Sequence, residues 1–424
     1  MTSATAWVKK HAIDVRPLKH PAYRRLFVGN AVSFFGFQFT AVAVPVQIYA
    51  LTRSALWVGL ASGVGLVPLV VFSLWGGAIA DAFDRRRVLL VSSALMWITT
   101  LALLLQALLH VNRPELILAL VAAQAAAFGV TSPARQSILP ALLEPGEIPA
   151  ASTLSFTVSN LATVLGPLGA GVAIALTDVT TAYAVDAVAF TVALWAALRL
   201  PSLPPGRTKV STGRLGDMWE GLRFLAGSKL ILLTFAVDIA AMVLALPRAL
   251  FPAVADQRFG EASLGWLYSS IGLGAFLAGV TSGWIGRVSR QGLALVLAVV
   301  GWGLAVAAAG SVPWLWACVA MMAVAGAADM ISGVYRQTML LTYAPDEMRG
   351  RLQGVFFAVV AGGPRLGDLR AGSMAEVTGT TFAWVGGGLA ASAVAIVLGV
   401  TFPVLRHYTA PATHPRPELR AELD

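Results

Sequence analysis

Arg135-Gln-Ser-Ile-Leu-Pro-Ala-Leu-Leu-Glu-Pro145-Gly-Glu147 is echoed about 200 residues later by Arg336-Gln-Thr-Met-Leu-Leu-Thr-Tyr-Ala-Pro345-Asp-Glu347. Each copy opens on Arg-Gln, reaches a proline and an acid, and follows the fourth long apolar run of its half. Trp57-Val-Gly-Leu60 after the first run and Gly265-Trp-Leu267 after the seventh repeat the same relation. A polar loop recurring in register between apolar helices marks an internal duplication. Parallel repeats about an axis along the membrane normal are an architecture of membrane transporters.

Composition agrees. Of 424 residues, 57% are hydrophobic and 12% charged, against roughly 25% charged in soluble domains. The 41 glycines follow no triplet period, and Cys318 is the single cysteine, so a collagen and a disulfide scaffold are excluded. An all-α polytopic membrane protein remains. A span needs about 20 apolar residues. Twelve are expected, near 26–50, 55–80, 88–110, 115–133, 152–176, 181–199, 230–254, 263–286, 291–310, 312–335, 353–376 and 381–405. The longest polar stretch between spans follows Pro201 and divides them six and six. The expected organisation is an N-terminal segment 1–25, a six-helix bundle 26–199, a linker 200–229, a second six-helix bundle 230–405 and a tail 406–424. The first 26 residues are polar and basic and carry no cleavable-signal pattern.

The net charge of +9 reads as topology. Twenty-four of the 30 Lys and Arg residues fall on one side if the N-terminus is cytoplasmic, with Arg135 and Arg336 counted among the loops. Arg53, Arg113 and Arg258 fall on the other side, and Arg248, Arg365 and Arg370 inside spans. By the positive-inside rule both termini are cytoplasmic. No basic stretch is interleaved with stacking aromatics, so nucleic acid is not an expected partner. No phosphate-binding Gly-x-x-x-x-Gly-Lys loop or Gly-x-Ser-x-Gly elbow occurs. The five histidines lie in termini or at a span edge without metal spacing. No enzyme activity, metal or cofactor is expected.

Gly77-Ala-Ile-Ala-Asp81-Ala-Phe-Asp84-Arg85-Arg86-Arg87, between spans two and three, resembles the loop motif Gly-x-x-x-Asp-Arg-x-Gly-Arg-Arg/Lys of the major facilitator superfamily. It departs at Ala82 and Asp84. Gly166-Pro167-Leu-Gly169-Ala-Gly171 is similar to the Gly-Pro motif of that family's drug:proton antiporters. The segments His20-Pro-Ala-Tyr-Arg-Arg25, Val42-Ala-Val-Pro-Val-Gln-Ile48 and Pro345-Asp-Glu-Met-Arg-Gly-Arg351-Leu-Gln-Gly354 resemble its siderophore-exporter branch, which also holds macrolide-efflux proteins. The resemblance covers essentially the whole chain. It implies the major facilitator fold, twelve transmembrane helices in two six-helix pseudo-repeats. It also implies a multi-pass protein of the bacterial plasma membrane, expected as a monomer, that exports a siderophore-like or drug-like small molecule by proton antiport. The alternatives are a macrolide or multidrug efflux pump and a non-transporting receptor or scaffold on the same fold.

Each candidate site has a physical rationale. Asp81 ends span two, where a carboxylate opposes the helix dipole and needs Arg85, Arg86 or the N-terminus of span eleven. With Gly77 it would form a latch between the halves. Gly166, Pro167 and Gly169 serve either a close, kinked helix contact or generic small-residue packing. Charges inside spans cost at least about 2.5–3.5 kcal/mol each. Asp186 reads as structural, near the outer end of span six. Asp238 and Asp329 lie roughly 12 Å and 10 Å deep, fit either to exchange a proton or to form salt bridges. Asn30 is the repeat counterpart of Asp238. Arg365 and Asp368 share a helix face, as a neutralised pair, a coupling site or part of an anion site. Gly363-Pro364 is expected to break span eleven there, and Arg370 to snorkel. Gln38, Gln47 and Gln124 are pathway candidates or interhelical glue. Arg248, Arg365 and Arg370 together favour an anionic or neutral polar substrate over a lipophilic cation.

Overall fold

The computed structural model describes residues 14–204, 223, 227–343 and 346–409. Most of the expected linker, the first 13 residues and the tail beyond 409 lie outside the described residues. Span one is α1 (Pro21–Thr52), and span two is a pair, α2 (Ala55–Val64) and α3 (Leu66–Ala82), meeting at Gly65. Spans three to six are α4 (Arg85–Leu108), α5 (Pro114–Leu142), α6 (Ile148–Leu176) and α7 (Val179–Leu198). Span seven comprises α8 (Lys229–Ala240), a π-helical turn Ala241–Ala245, an interruption, and α9 (Phe251–Val254). The remaining spans are α10 (Leu264–Val280), α11 (Gln291–Ser311), α12 (Leu315–Tyr343), α13 (Asp346–Thr378) and α14 (Thr380–Thr401), before a short α15 (Pro403–Arg406).

Among the described residues, eleven spans are long and apolar enough to cross a membrane. The twelfth, α13, is the least apolar because Arg365, Asp368 and Arg370 lie inside it. Large apolar side chains face outward, with Leu176 79%, Val280 72% and Val91 70% exposed. In water such a surface would aggregate; around a membrane bundle it meets lipid.

Two expectations are corrected. Arg135 and Arg336 are not loop residues, because α5 and α12 run two turns farther than expected. The α5 helix stops at Leu142, with Leu143 extended (φ −130°) and Glu144 extended (ψ 151°) directly before Pro145, where extended backbone is favoured. Span eleven does not break at Gly363-Pro364; α13 runs continuously through Pro364. The broken helix is span seven, where Leu246 turns extended (ψ 118°) ahead of the buried Pro247.

The duplication is visible in the packing. Within the first half, span one packs on spans five and six, and span four on spans two and three. In the second half span seven packs on eleven and twelve, and span ten on eight and nine. Across the halves, α2 meets α13 and α6 meets α10, an arrangement that maps onto itself when the halves exchange.

These inter-half contacts run from mid-bundle to the face remote from the termini. Ser269 Oγ donates to the Val164 carbonyl at 2.7 Å. Farther out, Ser54 Oγ donates to Glu376 at 2.8 Å and Arg53 pairs with Asp256 at 2.9 Å. The exposed pair contributes about 0–1 kcal/mol, so backbone packing carries the closure. A Cβ on Gly171 would strike the backbone of Gly265, so only glycine permits this approach. Gly171→Leu is expected to push the far ends of α6 and α10 apart. Spin labels on Thr177→Cys and Glu261→Cys should report a longer distance than in the parent; an unchanged distribution would show that the glycine contact does not hold the closure.

Candidate functional site

Between the halves lies a cavity of about 570 Å³. Its first-half wall presents Gln38 and Thr40 from α1, Gln124 from α5 and Asn160 from α6, all uncharged. Its second-half wall presents Arg248, Tyr268, Asp329, Arg365 and Asp368. Gln38, Arg248 and Arg365 line this cavity. Asn30 is partly buried on α1 and is not among the lining residues of this cavity.

Charge on the second-half wall originates in the interruption of span seven. Stopping a helix inside a membrane frees carbonyls on one side and amides on the other, with no water to receive them. Residues two apart on α13 serve both ends. Arg370 donates to the carbonyl of Val243 at 3.1 Å, to that of Leu244, and to that of Ala383 at 3.1 Å. Asp368 accepts the Ala249 amide at 3.1 Å, where the chain re-enters helix. A cation at a helix C-terminus and an anion at an N-terminus also match the dipoles. Arg370 thus caps a helix and does not snorkel.

The second Asp368 oxygen accepts Ser62 Oγ of α2 at 2.7 Å, tying the two halves together. No salt bridge joins Asp368 to Arg365 among the described residues. Arg365 instead donates to the Ala361 carbonyl of its own helix at 2.7 Å.

Asp238 and Asp329 converge on one cation. Arg336, 7% exposed, forms an ion pair with Asp238 and lies 3.5 Å from Asp329. The Asp238 side chain is 3% exposed, whereas that of Asp329 is 35% exposed and reaches the cavity. The spacing of Asp329 and Arg336, two helical turns on one face, was the sequence signal for this cluster; reading Arg336 as a loop residue concealed it.

At the face of the termini, Asp84 caps α4 through the Arg87 amide at 3.1 Å and accepts the Leu203 amide at 3.0 Å. Arg85 donates to the Ser137 carbonyl at 3.0 Å and Arg86 to that of Leu198, at the end of α7, at 2.7 Å. Gly77 and Asp81 lie in α3, and their side-chain environment is outside the described residues. A Cβ on Gly166 would meet Gln38, and one on Gly169 would meet Phe39, so these glycines seat α6 on α1; Pro167 lines the cavity.

Removing a single partner from a buried pair leaves an uncompensated charge, at a cost of about 3–5 kcal/mol. Arg336→Met should therefore lower the detergent melting temperature strongly, and Asp238→Asn combined with Arg336→Met should recover most of the loss. A single variant as stable as the parent would refute the pairing.

The comparisons with known proteins agree with this architecture. The family model described as transmembrane secretion effector matches residues 13–424. The enterobactin exporter EntS of Escherichia coli is 30% identical over 398 residues, 92% of this chain and 94% of the relative. That of Shigella boydii is 32% identical over 364 residues, 84% of this chain and 85% of the relative. Among solved structures, the nucleoside transporter NupG superposes with a TM-score of 0.74 at 14% identity, covering 91% of this chain and 99% of that one. The D-xylose-proton symporter gives 0.71 at 13% identity, covering 92% and 100%. These relatives and neighbours are transporters, not enzymes, and the chain belongs to the transmembrane secretion effector family of major facilitator transporters.

Proposed function

We propose that the chain exports a siderophore-like, anionic or polar amphipathic molecule from the cytoplasm in exchange for protons, by alternating access, with both termini cytoplasmic. The observation that carries this reading is the lopsided cavity: Arg248 and Arg365 on one wall, uncharged amides on the other. Asp368, the acid beside them, is already engaged by Ser62 and the Ala249 amide, Asp329 lies toward Arg336, and Arg365 bonds only a neutral carbonyl, that of Ala361, so both guanidinium charges can meet an anionic ligand. A volume of about 570 Å³ suits small-molecule sites of roughly 300–1,000 Å³. The relatives named enterobactin exporters support a siderophore. The positive-inside rule supports the orientation, since Arg25, Arg86, Arg199, Arg287 and Arg406 gather at the face of the termini. In that orientation the closed far face makes this the form that loads from the cytoplasm.

Asp238, Asp329 and Asp368 are the coupling acids in this reading. A proton arriving from the cavity at Asp329 weakens its hold on Arg336 and changes the charge balance around Asp238. Gly77 and Asp81, with Arg85 and Arg86, form the latch that holds the halves at the cytoplasmic face in the opposite state. One proton moving through 100 mV supplies about 2.3 kcal/mol, enough for roughly a fiftyfold gradient.

Inside-out vesicles with an acidified lumen should accumulate enterobactin, and a protonophore should abolish the accumulation. Uptake indifferent to the protonophore would refute the coupling. Arg248→Ala and Arg365→Ala should depress enterobactin uptake more than that of a cationic dye; the opposite pattern, at equal expression, would refute an anionic substrate.

A further inference from the structure

Asp186 of α7 is wholly buried where spans one, three and six meet. It lies about 10 Å along the helix from Val179, not near an interface as its sequence position suggested. One carboxyl oxygen accepts Thr40 Oγ1 of α1 at 2.5 Å and lies 3.4 Å from Thr100 Oγ1 of α4. The other oxygen accepts no hydrogen bond from the described residues. It lies against Gly36, where a Cβ would come within 3.0 Å of it and nearer still to Ala189, so the glycine lets α1 pack closely on α7 at this carboxyl.

No cation faces it. The chain carries no charged side chain between Arg25 and Arg53 in span one, between Arg87 and His110 in span three, or within Ile148–Leu176 of span five. In its own helix the neighbouring titratable group is Tyr183, whose hydroxyl donates to Gln47 at 2.8 Å. From span four, Gln124 reaches only as far as Thr100, at 3.0 Å. A carboxylate buried without a cation and with half its acceptor capacity unused is costly; the neutral acid is not. This contrasts with Asp238 and Asp329, which share Arg336.

The Thr40 hydroxyl that donates to the carboxyl belongs to a residue that lines the cavity. Thr40 and Gln124 both line the cavity, while Asp186 lies behind them. We propose that Asp186 is a proton-exchanging site of the first half, loaded and unloaded through the Thr40 hydroxyl. On loading, a hydronium ion in the cavity gives a proton to Thr40 Oγ1 as the hydroxyl's own proton passes to the Asp186 carboxylate; unloading runs the same path backward to water. The three helices that share the carboxyl then feel its change of charge together. This deepens the proton-coupled reading above by adding a site that its second-half acids do not include.

The test is infrared difference spectroscopy between acidic and alkaline buffer on the purified, lipid-reconstituted full chain, with no substrate added. A protonated-carboxyl band that bleaches on alkalinisation is expected in the parent and in Asp329→Asn, and is expected to be lost in Asp186→Asn. If Asp186→Asn fails to assemble, Asp186→Glu decides, since the band should then shift in frequency. A band that persists in Asp186→Asn, does not move in Asp186→Glu, or never bleaches would overturn the proposal. Vesicle uptake of enterobactin with and without protonophore tests the coupling reading separately. A parent that ignores the protonophore yet shows the Asp186 band retains the site and loses only the coupling.

Discussion

A helix interrupted inside a membrane has to find donors for its freed carbonyls and acceptors for its freed amides within the protein. Here the interruption lies between Ala245 and Arg248, and one neighbouring helix meets both demands. Arg370 covers the carbonyls of Val243 and Leu244, and Asp368 receives the Ala249 amide. The two side chains point to the two sides of a single gap, which accounts for their presence in the least apolar span. The short 3₁₀ turn that carries Arg248 begins at this gap, so the cavity's charge depends on the break being satisfied.

The same carboxyl links this local repair to the arrangement of the halves. Asp368 also receives Ser62 from α2, one helical turn from the place where Gly59 packs on the backbone of α13. A hydrogen bond to an ionised acceptor contributes about 1.5–3 kcal/mol, more than the exposed Arg53–Asp256 pair. Closure of the far face is thus tied to the geometry of span seven. Moving α2 away from α13 removes an acceptor's partner inside the membrane, and the freed carboxyl must then take a proton or a new donor.

Much of the fold was legible in the sequence because its carriers are long-range and redundant. Twelve apolar runs, a recurrent Arg-Gln segment and a lopsided distribution of arginines all specify the duplicated bundle. The site was legible in part. Arg248, Arg365 and Asp368 stood out because a charge in an apolar run is expensive, and they do converge on the cavity. What hydropathy could not decide was which proline breaks its helix. Pro247 and Pro364 both sit in apolar surroundings. Pro364 is accommodated in a continuous α13, while ahead of Pro247 the chain turns extended and the caps above take over. Nor could hydropathy place Arg336, because a guanidinium ends an apolar window whether it snorkels to a headgroup or turns inward to Asp238. The Thr40–Asp186 contact joins residues 146 apart in sequence, and only packing brings them together.

The duplicated halves manage buried charge by opposite means. The second half stores ionised groups in compensated sets: Asp238 and Asp329 on Arg336, and the two ends of a broken helix on Asp368 and Arg370. The first half keeps its cavity wall uncharged and holds one acid behind a threonine, with no cation beside it. Ionic clusters resist rearrangement because each member left alone is costly. A single acid behind a hydroxyl changes its charge by gaining or losing one proton, without moving a partner. The symmetric scaffold therefore sets a wall of compensated charges opposite an uncharged wall that hides a single acid. A proton taken up at Asp186, as proposed, would change the charge behind the first-half wall without engaging Arg248 or Arg365 on the other.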